Sequence, residues 1–263
     1  MRGSGLIAIL AAVVLTVVAG AQTVGATGAG GYVALGDSYS AGLGAGNDYS
    51  GGSCDRSPAA FPTLWGAAHP SVAQLTVACA GATSAGVIDS QVGSIPRATT
   101  LVSITVGGND VGFSTIMTAC ALHGTTACVD AVNSAEQVAN GSLPARLDAT
   151  YDAITAAAPN ARVVVLGYPL VYQLHVWFCI GLSQTSRAKI DEGIGVVDEA
   201  IATAARRHGF IFADVRSAFA GHQLCSGSKW LHAADLAHLQ ESYHPTETGQ
   251  REGYLPAFTT AAG

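Results

Sequence analysis

Ser38 closes a short apolar run in the order Gly36-Asp37-Ser38-Tyr39-Ser40. A serine at the turn after a buried strand holds its hydroxyl at the sheet edge, where it can attack a carbonyl. A backbone N–H beside it can meet the oxyanion that develops. Gly, Asp and Ser are also ordinary turn formers, so the motif alone carries little. Three further segments repeat the arrangement. Cys79-Ala80-Gly81-Ala82-Thr83 follows a second apolar run and Gly107-Gly108-Asn109-Asp110 a third, while Ser242-Tyr243-His244-Pro245 lies near the C-terminus. Gly81 can bring its N–H close to a substrate carbonyl. The Asn109 amide can donate to the same oxygen, and His244 can serve as base. Each has an alternative reading: a helix-packing glycine, a tight turn, a surface histidine held by proline. A serine, two further donors and a base at successive strand ends are hard to assemble by chance. The elbow Gly-x-Ser-x-Gly is absent from the chain.

The elements that would position these residues are short strands alternating with helices. Gly31–Gly36, Val72–Ala78, Leu101–Val106, Arg162–Leu166 and Phe210–Ala213 read as strands closed by Gly or polar residues. Leu143, Leu147, Tyr151, Ile154 and Ala158 recur at helical spacing behind a Ser142 cap and ahead of Pro159. Ile190, Ile194, Val197, Ile201 and Ala205 mark a second amphipathic helix ending near His208-Gly209, and Pro245-Thr246 opens a last one. Alternation of this kind predicts an α/β fold with a five-stranded parallel sheet covered on both faces. The irregular stretches 42–52 and 168–183 follow strands, placing them at the carboxyl edge where ligands bind in such sheets.

Residues 1–21 read as a signal peptide: Arg2, an apolar run from Leu6 to Val18, then Ala19-Gly20-Ala21. That run is short of the ~20 apolar residues of a spanning helix, so a retained membrane anchor is the weaker reading. Residues 22–31 would form a flexible N-terminus and 32–263 a single domain. Secretion, a monomeric state and no stable membrane insertion are expected. The net charge of −6, with only 12 Lys plus Arg and no basic cluster, argues against nucleic acid as partner. An even count of six cysteines in an exported chain reads as disulfides, with many pairings open. No C-x-x-C suggests zinc or redox chemistry, and no metal or cofactor is expected.

In order, the blocks GDS at 36–38, Gly81, GGND at 107–110 and SYHP at 242–245 resemble those of the GDSL, or SGNH, hydrolases. The flanking residues look most like secreted bacterial lipases of that family, over Tyr32 to Leu255. The resemblance implies a flavodoxin-like three-layer α/β/α fold, no metal, and Ser38 as nucleophile with His244 as base. It implies an oxyanion hole of Ser38 N–H, Gly81 N–H and Asn109 Nδ2, and a small-molecule or lipid ester as substrate. It also implies three disulfides, which, taken as neighbours in order, are Cys54–Cys79, Cys120–Cys128 and Cys179–Cys225. Much of the family has Asp three residues before the histidine; here that position is Glu241. The longer side chain cannot fill the same place without backbone adjustment, so a Ser242 carbonyl accepting from His244 is the favoured orienting group, with Glu241 the alternative. A carbohydrate acetylesterase and a secreted binding module are the rival functions.

Other signals carry less. Gly42–Gly46 reads as a flexible active-site loop rather than a phosphate loop, lacking the Gly-x-Gly-x-x-Gly register. His232 and His238 lack a ligand constellation, and Asp37 and Asp110 suit local turn and cap hydrogen bonding. Asn140-Gly141-Ser142 is a glycosylation sequon that serves equally as a helix start. The apolar stretch from Tyr168 to Leu182, with Leu170, Val171, Leu174, Trp177 and Phe178, either lines an acyl-chain groove or forms a buried loop pinned by Cys179.

Overall fold

The short apolar runs form one parallel sheet, β1 Tyr32–Gly36, β2 Gln74–Thr76, β3 Leu101–Thr105, β4 Arg162–Leu166 and β5 Ile211–Ala213. The strand order is β2-β1-β3-β4-β5 in this computed structural model, which describes residues 1, 30–46, 48–235 and 237–263. Apart from Met1, the expected signal peptide, and all but the last two residues of the expected flexible N-terminus, lie outside the described residues. Every residue of β1 is buried, as a strand flanked on both sides and covered on both faces requires. β2 and β5 are shorter than their apolar runs, because pairing on one side only leaves their ends out of the ladder.

The helices are α1 Ser38–Ala41, α2 Phe61–Ala68, α3 Ser84–Ser90, α4 Phe113–Asn140, α5 Leu143–Ala157, α6 Gln184–Arg207 and α7 Leu255–Ala262. On one side of the sheet α2 and α7 enclose the Tyr32 ring between Trp65 and Phe258, at centroid distances of 5.0 and 5.2 Å. On the other side α5 and α6 present Leu143, Leu147, Ile154, Ile190 and Ile201, all buried. Such a core supplies most of the driving force for folding through removal of apolar area from water. Ser142 stands at the start of α5 but makes no side-chain cap, since its backbone is already helical. The last helical stretch begins two residues beyond Pro245, and a π-helical turn at Gly249–Tyr254 precedes α7.

α4 is the element the apolar pattern fails to announce. Its buried face is paved with Met117, Cys120, Cys128, Val132, Ala135 and Ala139, and Gly124 interrupts it at φ +79°. Eight residues of straight helix would separate Cys120 from Cys128 by about 12 Å. Their Cα atoms lie 4.1 Å apart and the two are disulfide-bonded, so the helix folds back at Gly124. Cys54–Cys79 and Cys179–Cys225 are the other two bonds.

Gly36 carries the sharp exit from β1. It has φ +120°, and a Cβ there would lie 2.3 Å from the Thr105 carbonyl oxygen. Its N–H donates to Gln91 Oε1 at 2.8 Å, and its carbonyl accepts from Gln91 Nε2 at 2.9 Å. Gly36→Ala combines a backbone strain of about 1–3 kcal/mol with overpacking of similar size. The urea midpoint of the variant should fall accordingly, and an unchanged midpoint would show that the turn is relaxed.

Candidate active site

The carboxyl ends of β1, β3 and β4 converge on Asp37. Its side chain caps α1 by accepting from Tyr39 N–H at 3.0 Å. It also accepts from Thr105 Oγ1 at 2.7 Å and from the Tyr168 hydroxyl. The Tyr168 oxygen in turn accepts from Gly108 N–H at 3.1 Å, which fixes the turn that carries Asn109. Burial pushes the Asp37 carboxyl up to about 6, against the pull of these donors, with Tyr168 the strongest of them. Asp37 thus does more than the local turn bonding its sequence position suggests. Asp110 also reaches beyond its own turn, accepting from Ser84 N–H and Oγ at the start of α3.

Ser38 is the first residue of α1, and its Oγ lies 2.8 Å from His244 Nε2. The other ring nitrogen, Nδ1, is 3.2 Å from the Ser242 carbonyl. Tyr243, between them, adopts φ +70°, which turns the chain so that residues 242 and 244 can meet. The Glu241 carboxylate engages elsewhere, accepting from the Tyr49 hydroxyl at 2.9 Å, and that hydroxyl accepts from Gly44 N–H. Burial pushes the His244 imidazole down to about 4; the Ser242 carbonyl opposes this, and the nearby His232 adds to it. A neutral imidazole with Nδ1–H on a carbonyl leaves Nε2 free to accept a hydroxyl proton.

Among the described residues, neither Ser38 N–H nor Gly81 N–H has a hydrogen-bond partner within the chain. Gly81 is exposed at φ +78°, in the turn after β2. Asn109 Nδ2 donates to the Ala82 carbonyl at 3.0 Å, joining the two turns and leaving its second N–H for another acceptor. Beside Ser38 and Asn109 opens a narrow, apolar cavity. Phe113, Ile116, Met117 and Val132 of α4 and Ile190, Ile194 and Val197 of α6 line it, so its polar end is the Ser38 end.

Residues 34–252 match the GDSL-like lipase/acylhydrolase family. The chain belongs to that family. It is 48% identical over 250 residues to Lipase 1 of Streptomyces coelicolor, covering 94% of this chain and 92% of that protein. The crystal structure of an extracellular lipase from Streptomyces rimosus superposes with a TM-score of 0.86 at 47% identity, covering 89% of this chain and all of that one. Phospholipase A1 from Streptomyces albidoflavus gives the same TM-score and coverage at 44% identity. Within this GDSL-family chain the expected three-layer α/β/α fold is present.

The structure brings Ser38, Asn109, Ser242 and His244 together, with Gly81 on the adjoining turn outside the cavity lining. Several supporting residues gave no sequence signal. Tyr39 donates from its hydroxyl to the Tyr243 carbonyl at 2.9 Å and packs its ring 5.2 Å from that of His244. His232 exchanges backbone hydrogen bonds with the 243–244 segment, and its Nε2 lies 2.8 Å from the Gly44 carbonyl. The 42–46 stretch is packed rather than loose: Leu43 and Ala45 are buried, and a Cβ on Gly44 would lie 3.1 Å from that of His244. Among the described residues, no three His, Cys, Asp or Glu side chains gather as metal ligands; His238 pairs with Asp235.

The lowered His244 pKa has a direct test. Its ring resonances, identified by their loss in His244→Ala, should titrate with a midpoint near pH 4. A midpoint at or above the ordinary value of about 6.5 would contradict the burial argument.

Proposed function

We propose that this protein is a secreted carboxylic ester hydrolase acting on fatty-acyl esters. The observation that carries the reading is the 2.8 Å contact between Ser38 Oγ and His244 Nε2 at the polar end of an apolar cavity. In the proposed cycle His244 Nε2 takes the Ser38 proton as Oγ bonds to the ester carbonyl carbon. Ser38 N–H, Gly81 N–H and Asn109 Nδ2 hold the oxyanion, each donor lowering the barrier by about 3–4 kcal/mol. The imidazolium then protonates the departing alcohol, leaving an acyl-enzyme. Water, deprotonated by His244, attacks that ester and restores Ser38 as the acid departs. The Ser242 carbonyl is the proposed orienting group for His244, because it accepts from Nδ1 while Glu241 is engaged by Tyr49. Secretion is supported by three disulfides, which persist in oxidising compartments, and by the extracellular relative from S. rimosus.

Ser38→Ala and His244→Ala should each remove nearly all turnover of a soluble p-nitrophenyl ester, whereas Glu241→Gln should keep most of kcat. Loss of the carboxylate from a serine protease triad costs about 10⁴ in kcat. A loss beyond about a thousandfold in a well-folded Glu241→Gln protein would make Glu241 the third catalytic member.

The cavity between α4 and α6 favours an acyl chain over an acetyl group. Ala135, buried on α4, lines it, and Ala135→Phe would fill part of it. Excluding two methylenes forfeits about 1.6 kcal/mol, or roughly fifteenfold in kcat/KM. The variant should lose that much on octanoyl or longer esters while keeping its rate on acetate. A parent enzyme with a sharp preference for acetyl esters would favour the carbohydrate acetylesterase instead.

A further inference from the structure

The segment between β4 and α6 holds the largest apolar side chains exposed in the described structure. Trp177 is 102% exposed, Ile180 83% and Phe178 71%. A monomer rarely leaves such a cluster in water without a partner for it. The chain does not leave the segment free to collapse. Its base is clamped where Val171 and Tyr172 donate their N–H groups to Asp191 Oδ1, at 2.9 and 3.1 Å. Gln173 N–H donates to the Leu224 carbonyl, Cys179 is disulfide-bonded to Cys225, and Thr125 Oγ1 meets Ser183 Oγ at 2.8 Å. The apolar tip is held outward by a covalent and hydrogen-bonded frame.

The charge pattern says what the tip can meet. From Tyr168 to Ser183 there is no Asp, Glu, Lys or Arg, in a chain that carries 18 acidic residues. The groove behind the tip is lined by Phe178, Ile180 and Leu182 and reaches Tyr243, the neighbour of His244; among the described residues lining it, Lys229 is the one that is charged. Among the described residues, neither the 168–183 segment nor the groove lining carries a carboxylate that would repel phosphate headgroups, and Lys229 offers one cation toward them. An exposed tryptophan beside aliphatic side chains suits the headgroup boundary, with its ring among the acyl chains and its N–H in the polar layer.

We propose that Trp177, Phe178 and Ile180 form a docking tip for the surface of a phospholipid bilayer, which sets the Ser38–His244 edge of the sheet against the lipid. The use of such docking rests on the ester-hydrolase reading; the docking itself is measured without turnover. The probe is the Ser38→Ala protein mixed with vesicles of phosphatidylcholine and phosphatidylglycerol. It should sediment with them, and brominated acyl chains should quench its tryptophan emission. Of three tryptophans in the chain, Trp65 is buried and Trp230 half-buried, so quenching should vanish in Trp177→Phe. Replacing Trp177, Phe178 and Ile180 together by serine should weaken vesicle partition at least tenfold. In the active enzyme the same replacement should leave kcat/KM on soluble p-nitrophenyl acetate within about twofold and slow hydrolysis of vesicle lipid at least tenfold. Unchanged partition, or an equal loss on both substrates, would overturn the proposal. So would self-association in the ultracentrifuge that the serine variant abolishes, unaccompanied by vesicle binding, since the tip would then serve a second copy of the chain. A parent enzyme inactive on every ester would remove the hydrolase reading while the sedimentation result still decides the docking.

Discussion

The whole site hangs on one buried carboxylate. Asp37 collects donors from the start of α1, the end of β3 and the second residue after β4, so three strand ends are set relative to one another by a single side chain. A carboxylate in such a place is costly unless its lone pairs are satisfied, and here each donor that satisfies it belongs to a segment the site needs. Tyr168 relays the constraint onward through Gly108 to the turn of Asn109. Ser38 follows Asp37 directly in sequence, so the cap that opens α1 also fixes the orientation of its hydroxyl. Loss of the carboxylate would therefore disturb the serine and the asparagine turn together.

The histidine arrives by a different route, 206 residues away from the serine in sequence. No strand of the sheet carries it. A short antiparallel ladder between 231–232 and 243–245 holds the segment, and Tyr39 hydrogen-bonds the carbonyl of Tyr243 from the residue next to Ser38. The left-handed conformation at Tyr243 costs some strain, which the surrounding packing must offset. In exchange it brings the Ser242 carbonyl round to Nδ1. The closeness of Gly44 to His244 explains a glycine there: a side chain would meet the Pro245 carbonyl and the two histidines.

Strand ends were legible in the sequence because apolar runs stop abruptly at Gly36 and Gly107, and the helices of α5 and α6 because long aliphatic residues mark one face of each. α4 was not, since alanines, cysteines, one Met and one Val stand where Leu or Ile would signal a core face, and Gly124 breaks its course. That helix supplies much of the cavity wall, so the apolar side of the site was the part hidden. The stretch that looked most like a wall, Tyr168 to Leu182, contributes only Tyr168 and Pro169 to the lining, and its Trp177 and Phe178 face water. Apolar composition reveals that a segment wants a partner; it does not reveal whether that partner is the core. Residues that act through hydrogen bonds to distant backbone, such as Tyr39 and Tyr49, have no local pattern to betray them.

Burial acts on the titrating groups of this protein in opposite directions. It lowers His244 to about 4, so the folded state binds fewer protons than the unfolded chain between that value and the ordinary histidine range near pH 6.5. Stability from this residue is present above that window and is lost as pH falls through it. Burial raises Asp37 and Asp191 to about 6 and Asp198 to about 7. Their contribution is present below the unfolded carboxylate range near 3.8 and is lost as pH rises through 6 to 7, which is the reverse sign. Three carboxylates therefore offset one histidine as the medium turns mildly acidic. Exclusion of water thus keeps His244 neutral down to about pH 4 while it favours the protonated form of the three carboxylates.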